Sequence, residues 1–299
     1  MGSTFAWVES AFVVGMLYVP VTLGLAFSFR VLNYPDLTCE GSFLVGSAVS
    51  VVLIEAGVSP FVALVMAALA GGMAGAVTGI VHIKGGVTRL LSGFVTTAIA
   101  YSITIRLLGG RANLRALKNT LFDTLNPSNS ASRECAILVV ICLVLFVSLA
   151  CFYKTRFARV LRALGDTPWF CVSLGKSPKL YLVIGLAIAN SLIGFGGGLV
   201  SQFKRICDVN MSFGVLVSGL AALVLGETLF ASRSTTSHAV MCFVGTWVYN
   251  LAVGLFYFGQ FGDKLLPSDV RFVTGILLLI PSLVLSRRLS RYRLFNSEW

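Results

Sequence analysis

Long apolar runs recur along the whole chain, and they restrict its fold more than any other feature of the sequence. A transmembrane helix needs roughly 20 mainly apolar residues. The runs cover residues 10–29, 41–56, 59–82, 89–108, 135–153, 180–203, 211–230, 237–259 and 270–286. Only 12% of the 299 residues are charged, whereas soluble domains carry about 25%. The sequence therefore predicts an all-α, polytopic membrane protein, a single domain over residues 1–299 with about nine transmembrane helices and a range of about eight to ten.

The distribution of basic residues predicts the orientation in the membrane. Cytoplasmic loops carry an excess of Lys and Arg. Two strongly basic segments, 154–179 and 287–299, are separated by four predicted spans and therefore lie on one side. If that side is the cytoplasm, Arg30, Lys84 and Arg89 share it and the N-terminus is outside. The net charge of +11 then indicates basic loops beside membrane lipid, and we expect no nucleic-acid partner.

Signals for an enzyme are weak. The segment "LGKSP" resembles the end of a phosphate-binding loop, but Phe170 replaces the required first glycine and Pro178 follows instead of a helix. His82 and His238 stand at the edges of spans, and the seven cysteines show no metal-ligand spacing. We therefore expect no catalytic residue, no metal site and no cofactor bound directly by this chain.

A charged, helix-like insert at 154–179 interrupts the apolar pattern. Its first part, 159–164, has high helix propensity, and "DTP" at 166–168 is a start signal for a second short helix. That helix is predicted to end at Gly175, a typical residue after a helix C-terminus. Such an insert either anchors the chain at the lipid surface or inserts into a soluble partner and transmits its motion to the spans.

Several segments of the sequence resemble one family of transport proteins. "RALGDTPWFCVSLGKSP" resembles the cytoplasmic coupling loop of ABC-importer permeases of the branched-chain amino acid and ribose class. "YLVIGLAIANSLIGFGGGLVSQF" and "DVNMSFGVLVSGLAALVLGE" resemble the two spans that follow, and "FRVLNYPDLTCEGSFLVGSAV" resembles the second-span motif. The resemblance covers nearly the whole chain and is strongest to the bacterial subgroup assigned to uptake of tryptophan or tyrosine. The bulky "PWF" departs from the family pattern.

The resemblance implies a transport subunit of the bacterial inner membrane with a cytoplasmic coupling helix. It implies a second permease subunit, in a homodimer or a pseudo-dimer, two ATPase subunits that bind ATP and Mg²⁺, and an extracytoplasmic solute-binding protein. The implied solutes are aromatic or other hydrophobic amino acids, with nucleosides or sugars as alternatives. The residues that the resemblance assigns to ATPase coupling are Arg162, Ala163, Leu164, Gly165, Asp166, Leu174 and Gly175.

Polar residues beside or within the spans are candidates for the solute path, because such residues usually face a cavity or a partner group. The segment "NYPDLTCEGS" combines several of them with two helix breakers, Pro35 and Gly41, as in the interrupted helices of transporters. The alternative is a simple cytoplasmic loop that ends in a helix cap at Asp36 or Thr38. The candidates are Asn33, Asp36, Thr38, Glu40, Ser42, Thr96, Thr97, Tyr101, Asn190, Ser191, Gln202, Ser218 and Asn250.

The acidic residues bear on a rival class, the ion-coupled secondary transporters. That class usually buries carboxylates deep within its spans, whereas the acids here cluster near span ends. Glu227, near the inner end of its span, is predicted to pair with Arg233 or with the coupling loop. A non-transporting membrane scaffold is a second rival, but it has no need of a coupling loop.

Two further patterns predict local structure. Gly71, Gly75 and Gly79 form a small-residue ladder that allows close helix packing, and the "GFGGGL" cluster is interpreted in the same way. In the outer loop 109–133, leucines at 114, 117, 121 and 125 are predicted to lie on one face of a short helix.

Overall fold

The computed structural model describes residues 2–126, 131–166, 168–173, 175–230, 235–258 and 272–283. A π-helical turn, Phe27–Val31, continues α1, and a 3₁₀ turn, Val209–Ser212, follows β2. The elements in chain order are α1 (Gly2–Ala26), α2 (Cys39–Glu55), α3 (Pro60–Gly85), α4 (Arg89–Leu107), β1 (Asn113–Arg115), α5 (Leu121–Leu125), α6 (Ala131–Lys154), α7 (Arg156–Asp166), α8 (Pro168–Ser173), α9 (Pro178–Lys204), β2 (Ile206–Asp208), α10 (Val215–Leu229), α11 (Thr235–Phe258) and α12 (Phe272–Leu283).

Each apolar run of the sequence contains a helix, which confirms the all-α, polytopic prediction. Within the described residues, 6 helices are long and apolar enough to cross a membrane, namely those in α1, α3, α4, α6, α9 and α10 with their flanking turns. The described apolar parts of α11 and α12 are shorter. Helix α2 has 17 residues and is mostly buried among α3, α4 and α9. Because protein surrounds α2, its length need not match the lipid.

Helix α9 lies at the centre of the bundle, and glycines let its neighbours approach it. A Cβ added to Gly71 or Gly75 of α3 would clash with the carbonyl oxygens of Asn190 or Leu186 on α9. On another face of α9, a Cβ on Gly197 would clash with the backbone of α2. The prediction that both glycine clusters serve helix packing is confirmed.

The chain before α4 and the chain after α8 repeat one arrangement. In each, a long helix (α1 or α9) is followed by a non-helical return, a short helix (α2 or α10) and another long helix (α3 or α11). Asp36 and Asp208 occupy equivalent places, because each carboxylate accepts a hydrogen bond from the backbone N–H two residues later, at 2.8 and 2.7 Å. Helix α9 packs against α3 as α1 packs against α11. The spanning helices therefore form two related halves.

Contacts at the two ends of the bundle define its sides. At one end Arg30 forms an ion pair with Glu227, 2.6 Å between Nε and Oε1, and Gly165 packs against Val31. At the other end Glu55 accepts hydrogen bonds from the 109–126 segment. The 154–179 insert thus shares an end with Arg30, as the charge distribution predicts. Glu227 forms its ion pair with Arg30 of the π-helical turn, a partner that the sequence did not indicate. Arg233 and the basic tail 287–299 lie outside the described residues, so the pairing with Arg233 stays a prediction.

The prediction of one amphipathic helix in the outer loop is wrong. Leu114 lies in β1, where it pairs with Cys207 of β2 in a two-stranded antiparallel ribbon. The Glu55 carboxylate accepts hydrogen bonds from the backbone N–H groups of residues 117 and 118, which removes two donors from any helix at that point. Helix α5 begins only after Thr120, where a capping box with Asp123 starts it.

Candidate functional site: the α1–α2 turn, a cavity and the coupling helices

The backbone between the π-helical turn that continues α1 and the start of α2 is not helical. Pro35 prevents a continuous helix there, and the backbone carbonyl groups of this turn accept hydrogen bonds from α4. Tyr34 is buried, and its hydroxyl lies 2.8 Å from the Ser92 hydroxyl on α4. The Arg89 guanidinium donates to the Asn33 carbonyl at 3.1 Å. Thr97 donates to the Leu37 carbonyl at 2.9 Å. Helix α4 therefore supplies the hydrogen bonds that the irregular backbone needs at this depth.

Five buried polar residues follow the turn, and we call them the Asp36 cluster: Asp36, Thr38, Ser42, Thr78 and Asn190. The Asn190 amide donates to Asp36 Oδ2 at 2.6 Å, and its oxygen accepts from the Ser42 hydroxyl at 2.7 Å. The Thr38 and Thr78 hydroxyl oxygens are 2.7 Å apart. These hydrogen bonds join the start of α2 to α3 and α9.

The electrostatics of the cluster depend on these hydrogen bonds. The Asp36 carboxylate is buried, and it accepts hydrogen bonds from the Thr38 backbone N–H and from the Asn190 amide. A buried carboxylate without partners is costly, so Asn190 and Thr38 stabilise the interruption. Asp36 lies two residues before Thr38, the N-cap residue of α2, so it binds the backbone N–H of the N-cap residue inside the protein and is not itself the N-cap.

The remaining path candidates lie in different places. Asn33 is exposed at the inner end of the bundle. Thr96 is buried and donates to the Ser92 carbonyl of its own helix at 2.9 Å. Ser191 is half-buried on α9 beside Gly72. Gln202 is buried and holds Leu121 and Ser50 by hydrogen bonds, a structural role. The structure therefore brings together Asp36, Thr38, Ser42 and Asn190, and it leaves Thr96 and Ser191 apart from them.

Glu40 faces away from the cluster into a cavity of about 960 Å³ between α1, α10 and α11. One of its carboxylate oxygens accepts a hydrogen bond from the Gly214 backbone N–H at the start of α10, at 2.9 Å. Ser218 and Asn250, both path candidates from the sequence, line the same cavity. Tyr101 lies elsewhere, in the apolar packing beside β1 and β2.

The insert forms two short helices, as the sequence predicts, and α7 packs its inner face against the spans. Leu164 is buried, and a Cβ on Gly165 would clash with the Val31 carbonyl at the end of α1. The Arg162 guanidinium lies over the Tyr153 ring, 4.9 Å from its centroid. Ala163 is half-buried. These four residues therefore face the permease itself.

The other side of the insert is exposed. Trp169 is 80% exposed and Val172 is 53% exposed on α8. Gly175 follows in the left-handed region, with φ of 67°. The Asp166 side chain and Leu174 lie outside the described residues. Sequence reasoning treated "PWF" only as a departure and did not select Trp169, although a large aromatic residue in a charged loop was a usable signal.

The packing of Gly165 corrects one expectation drawn from its position in a polar loop. The polar character of the 154–179 insert predicts that a bulky residue in place of Gly165 leaves the fold intact and acts only on a partner. Because the nearest atom is a backbone carbonyl of α1, any side chain must instead displace the end of a spanning helix.

Comparisons with known proteins agree with this geometry. The model of the family described as the branched-chain amino acid transport system permease component matches residues 8–281. The chain belongs to this family of ABC-transporter permeases, which are transport subunits and not a catalytic family. The family also agrees with a multi-pass membrane protein that works with other subunits of a transport system.

Two curated relatives match over most of their length. A tyrosine transport system permease protein of Clostridioides difficile (strain R20291) is 31% identical over 259 residues, 87% of this chain and 84% of the relative. An uncharacterised protein of Rickettsia prowazekii (strain Madrid E) is 28% identical over 270 residues, 89% of this chain and 92% of the relative. No solved structure gives a significant match.

Proposed function

We propose that this chain is the membrane subunit of an ATP-driven importer for aromatic or other hydrophobic amino acids in a bacterial inner membrane. It crosses the membrane about nine times, forms a homodimer, and works with an ATPase dimer and an extracytoplasmic solute-binding protein. ATP and Mg²⁺ bind to the ATPase. The family supports the importer class, and the tyrosine permease of Clostridioides difficile supports the amino-acid substrate.

The observation that carries this proposal is an exposed apolar surface, which we call the knob, on a short helix that follows α7. Helix α7 in turn packs against the end of the interrupted spanning helix. The knob is Trp169 and Val172 on α8. Isolated exposed apolar residues are common, but aromatic side chains at the centre of an interface often dominate its energy. We therefore assign ATPase docking to the exposed side of α8 and to Gly175, with Asp166 and Leu174 as further contacts.

The inner side of the insert transmits the motion. Gly165 touches the Val31 carbonyl, and the next residue, Leu32, packs against Gly185 of α9. A few residues later the turn reaches Asp36, which binds Asn190 of α9. A displacement of α7 by the ATPase therefore acts first on the α1–α2 turn and then on α9. In this scheme the knob is positioned by three residues on the side of α7 that faces the spanning helices: Arg162, Ala163 and Leu164.

The Asp36 cluster is the part of the proposed path that fixes the interrupted helix. Its hydrogen bonds link α2, α3 and α9 and so fix their positions along the bundle relative to one another. Thr97 fixes the same turn from α4. Thr96 and Ser191 are proposed to line the path only after a subunit rearrangement, and Asn33 marks its cytoplasmic mouth.

The test is co-purification of the tagged permease with its ATPase, followed by ATP-driven uptake of labelled L-tyrosine in proteoliposomes. Trp169→Ala is expected to weaken recovery of the ATPase and to abolish uptake. Phe256→Ala is the matched control, because Phe256 is an exposed aromatic residue on α11, away from the insert. Uptake that needs no ATP would favour an ion-coupled transporter. Inhibition by nucleosides or sugars, and not by amino acids, would change the solute class.

A further inference from the structure

The cavity between α1, α10 and α11 has the size and the mixed lining of a ligand site. Its volume of about 960 Å³ lies within the range of about 300–1,000 Å³ that is common for small-molecule pockets. Tyr18, Met211 and Phe213 give it an apolar and aromatic part. Asn210, Ser218 and Asn250 add polar groups. The Ser218 hydroxyl and the Asn250 amide also donate to carbonyl groups of their own helices, at 3.1 and 2.8 Å.

Two short helices begin at this cavity and run to opposite ends of the bundle. Glu40, in the first turn of α2, accepts the hydrogen bond from Gly214 that caps α10. The far end of α2 is at Glu55, bound to the outer loop, and the far end of α10 is at Glu227, bound to Arg30. Interrupted helices that meet inside the membrane frame the substrate sites of many transporters. The cavity lies at such a meeting point.

The cavity also carries one charge of each sign. Glu40 lies in its wall, half-buried, and Lys204 stands exposed at its rim. Neither ion pair formed among the described residues, Arg30–Glu227 or Arg205–Asp123, involves these two. Ionisable groups at membrane depth commonly mark a substrate or ion path. A simple cation or anion is attracted by one of these charges and repelled by the other, whereas a zwitterion can pair with both at once.

We propose that this cavity binds a zwitterionic amino acid with an aromatic or apolar side chain. Glu40 accepts hydrogen bonds from the ligand's ammonium group, and Lys204 binds its carboxylate. Tyr18 and Phe213 contact the ligand's side chain. This inference rests on the proposed function and assigns the solute site within it. A neutral sugar or nucleoside can form hydrogen bonds with these two groups, but it gains no charge–charge attraction from them.

The test measures binding of labelled L-tyrosine to the purified permease in lipid nanodiscs. Two competitors each lack one charged group: tyramine lacks the carboxylate, and 3-(4-hydroxyphenyl)propanoate lacks the amine. The wild type is expected to prefer tyrosine to either by at least about tenfold, because each analogue loses one charge-assisted interaction.

The variants separate the roles of the two charges. Glu40→Gln keeps an acceptor for Gly214 and removes the charge, so the preference over 3-(4-hydroxyphenyl)propanoate is expected to disappear while that over tyramine remains. Lys204→Met is expected to do the reverse. Glu9→Gln and Lys84→Met, at exposed positions that do not line the cavity, serve as matched controls and keep both preferences.

Two results would overturn the site: no tyrosine binding by the wild type, or unchanged preferences in both variants. If ATP-driven uptake persists in either case, the proposed function stands and only this site is wrong. If the variants change preference as expected but no ATPase co-purifies, the site stands and the importer proposal fails.

Discussion

Replacing Gly165 with alanine tests whether the coupling helices act through the end of α1. A Cβ at this position would overlap the Val31 carbonyl and crowd the Leu32 carbonyl carbon. Both are backbone atoms, so no side-chain rotation can relieve the clash. Forcing an extra group into packed structure typically costs about 1–3 kcal/mol, and here the cost falls on the contact between α7 and α1. We expect Gly165→Ala to shift α7 away from the α1–α2 turn.

The expected phenotype is loss of coupling and not loss of assembly. The exposed face of α8 is unchanged, so the ATPase should still co-purify and hydrolyse ATP, while ATP-driven tyrosine uptake falls. The assay compares uptake per ATP hydrolysed and the midpoint of thermal unfolding in detergent. Gly275→Ala is the control, because a Cβ on that helical glycine meets no atom within 4 Å. Wild-type uptake and unfolding midpoint in Gly165→Ala would refute the reasoning.

The remaining predictions concern the cluster, the cavity, the inner ion pair and the topology. Asn190→Leu leaves the Asp36 carboxylate without its 2.6 Å donor, so we expect the free energy of unfolding to fall by about 1–3 kcal/mol, measured by thermal unfolding. Ser102→Ala, at an exposed helical serine, should change it little. An equal effect of both variants would contradict the cluster's role. Ser218→Trp should block uptake by filling the cavity. Ser148→Trp, at an exposed position on α6, should not block it. Normal uptake by Ser218→Trp would exclude the cavity from the solute path. Arg30→Ala should cost about 1–3 kcal/mol, because the ion pair is bidentate and its loss leaves the Glu227 side chain, only 12% exposed, without its cation. An unchanged midpoint of thermal unfolding would contradict this role of the pair. In a variant without native cysteines, an impermeant thiol reagent applied outside should modify Lys118→Cys but not Lys176→Cys, and the reverse pattern would invert the topology.

Local chemistry explains which parts of the fold could be predicted from the sequence. Apolar runs identified the spanning helices because lipid requires such runs wherever the chain crosses. Pro168 and Gly175 marked the limits of α8 through their backbone preferences. Gly71 and Gly75 predicted close packing, since a missing side chain serves that purpose in any helix pair.

The parts that could not be predicted depend on partners distant in sequence. The Asp36 cluster was found only in part, because Thr78 and its role follow from how α3 packs. The pairing of Glu227 with Arg30 was missed, because Arg30 comes from the start of the chain and is distant from Glu227 in sequence. The inward packing of Gly165 was missed, since a charged loop gave no sign that one face touches a helix end.

Photocrosslinking from the knob tests the central claim most directly. With p-benzoylphenylalanine in place of Trp169, irradiation of membranes that contain the whole transporter should link this chain to the ATPase subunit. The same probe in place of Leu143, exposed on α6, should give no such product. An adduct from position 169 alone is the predicted result. Active, ATP-driven uptake without any adduct from position 169 would contradict the account, because transport would then proceed without the proposed docking contact.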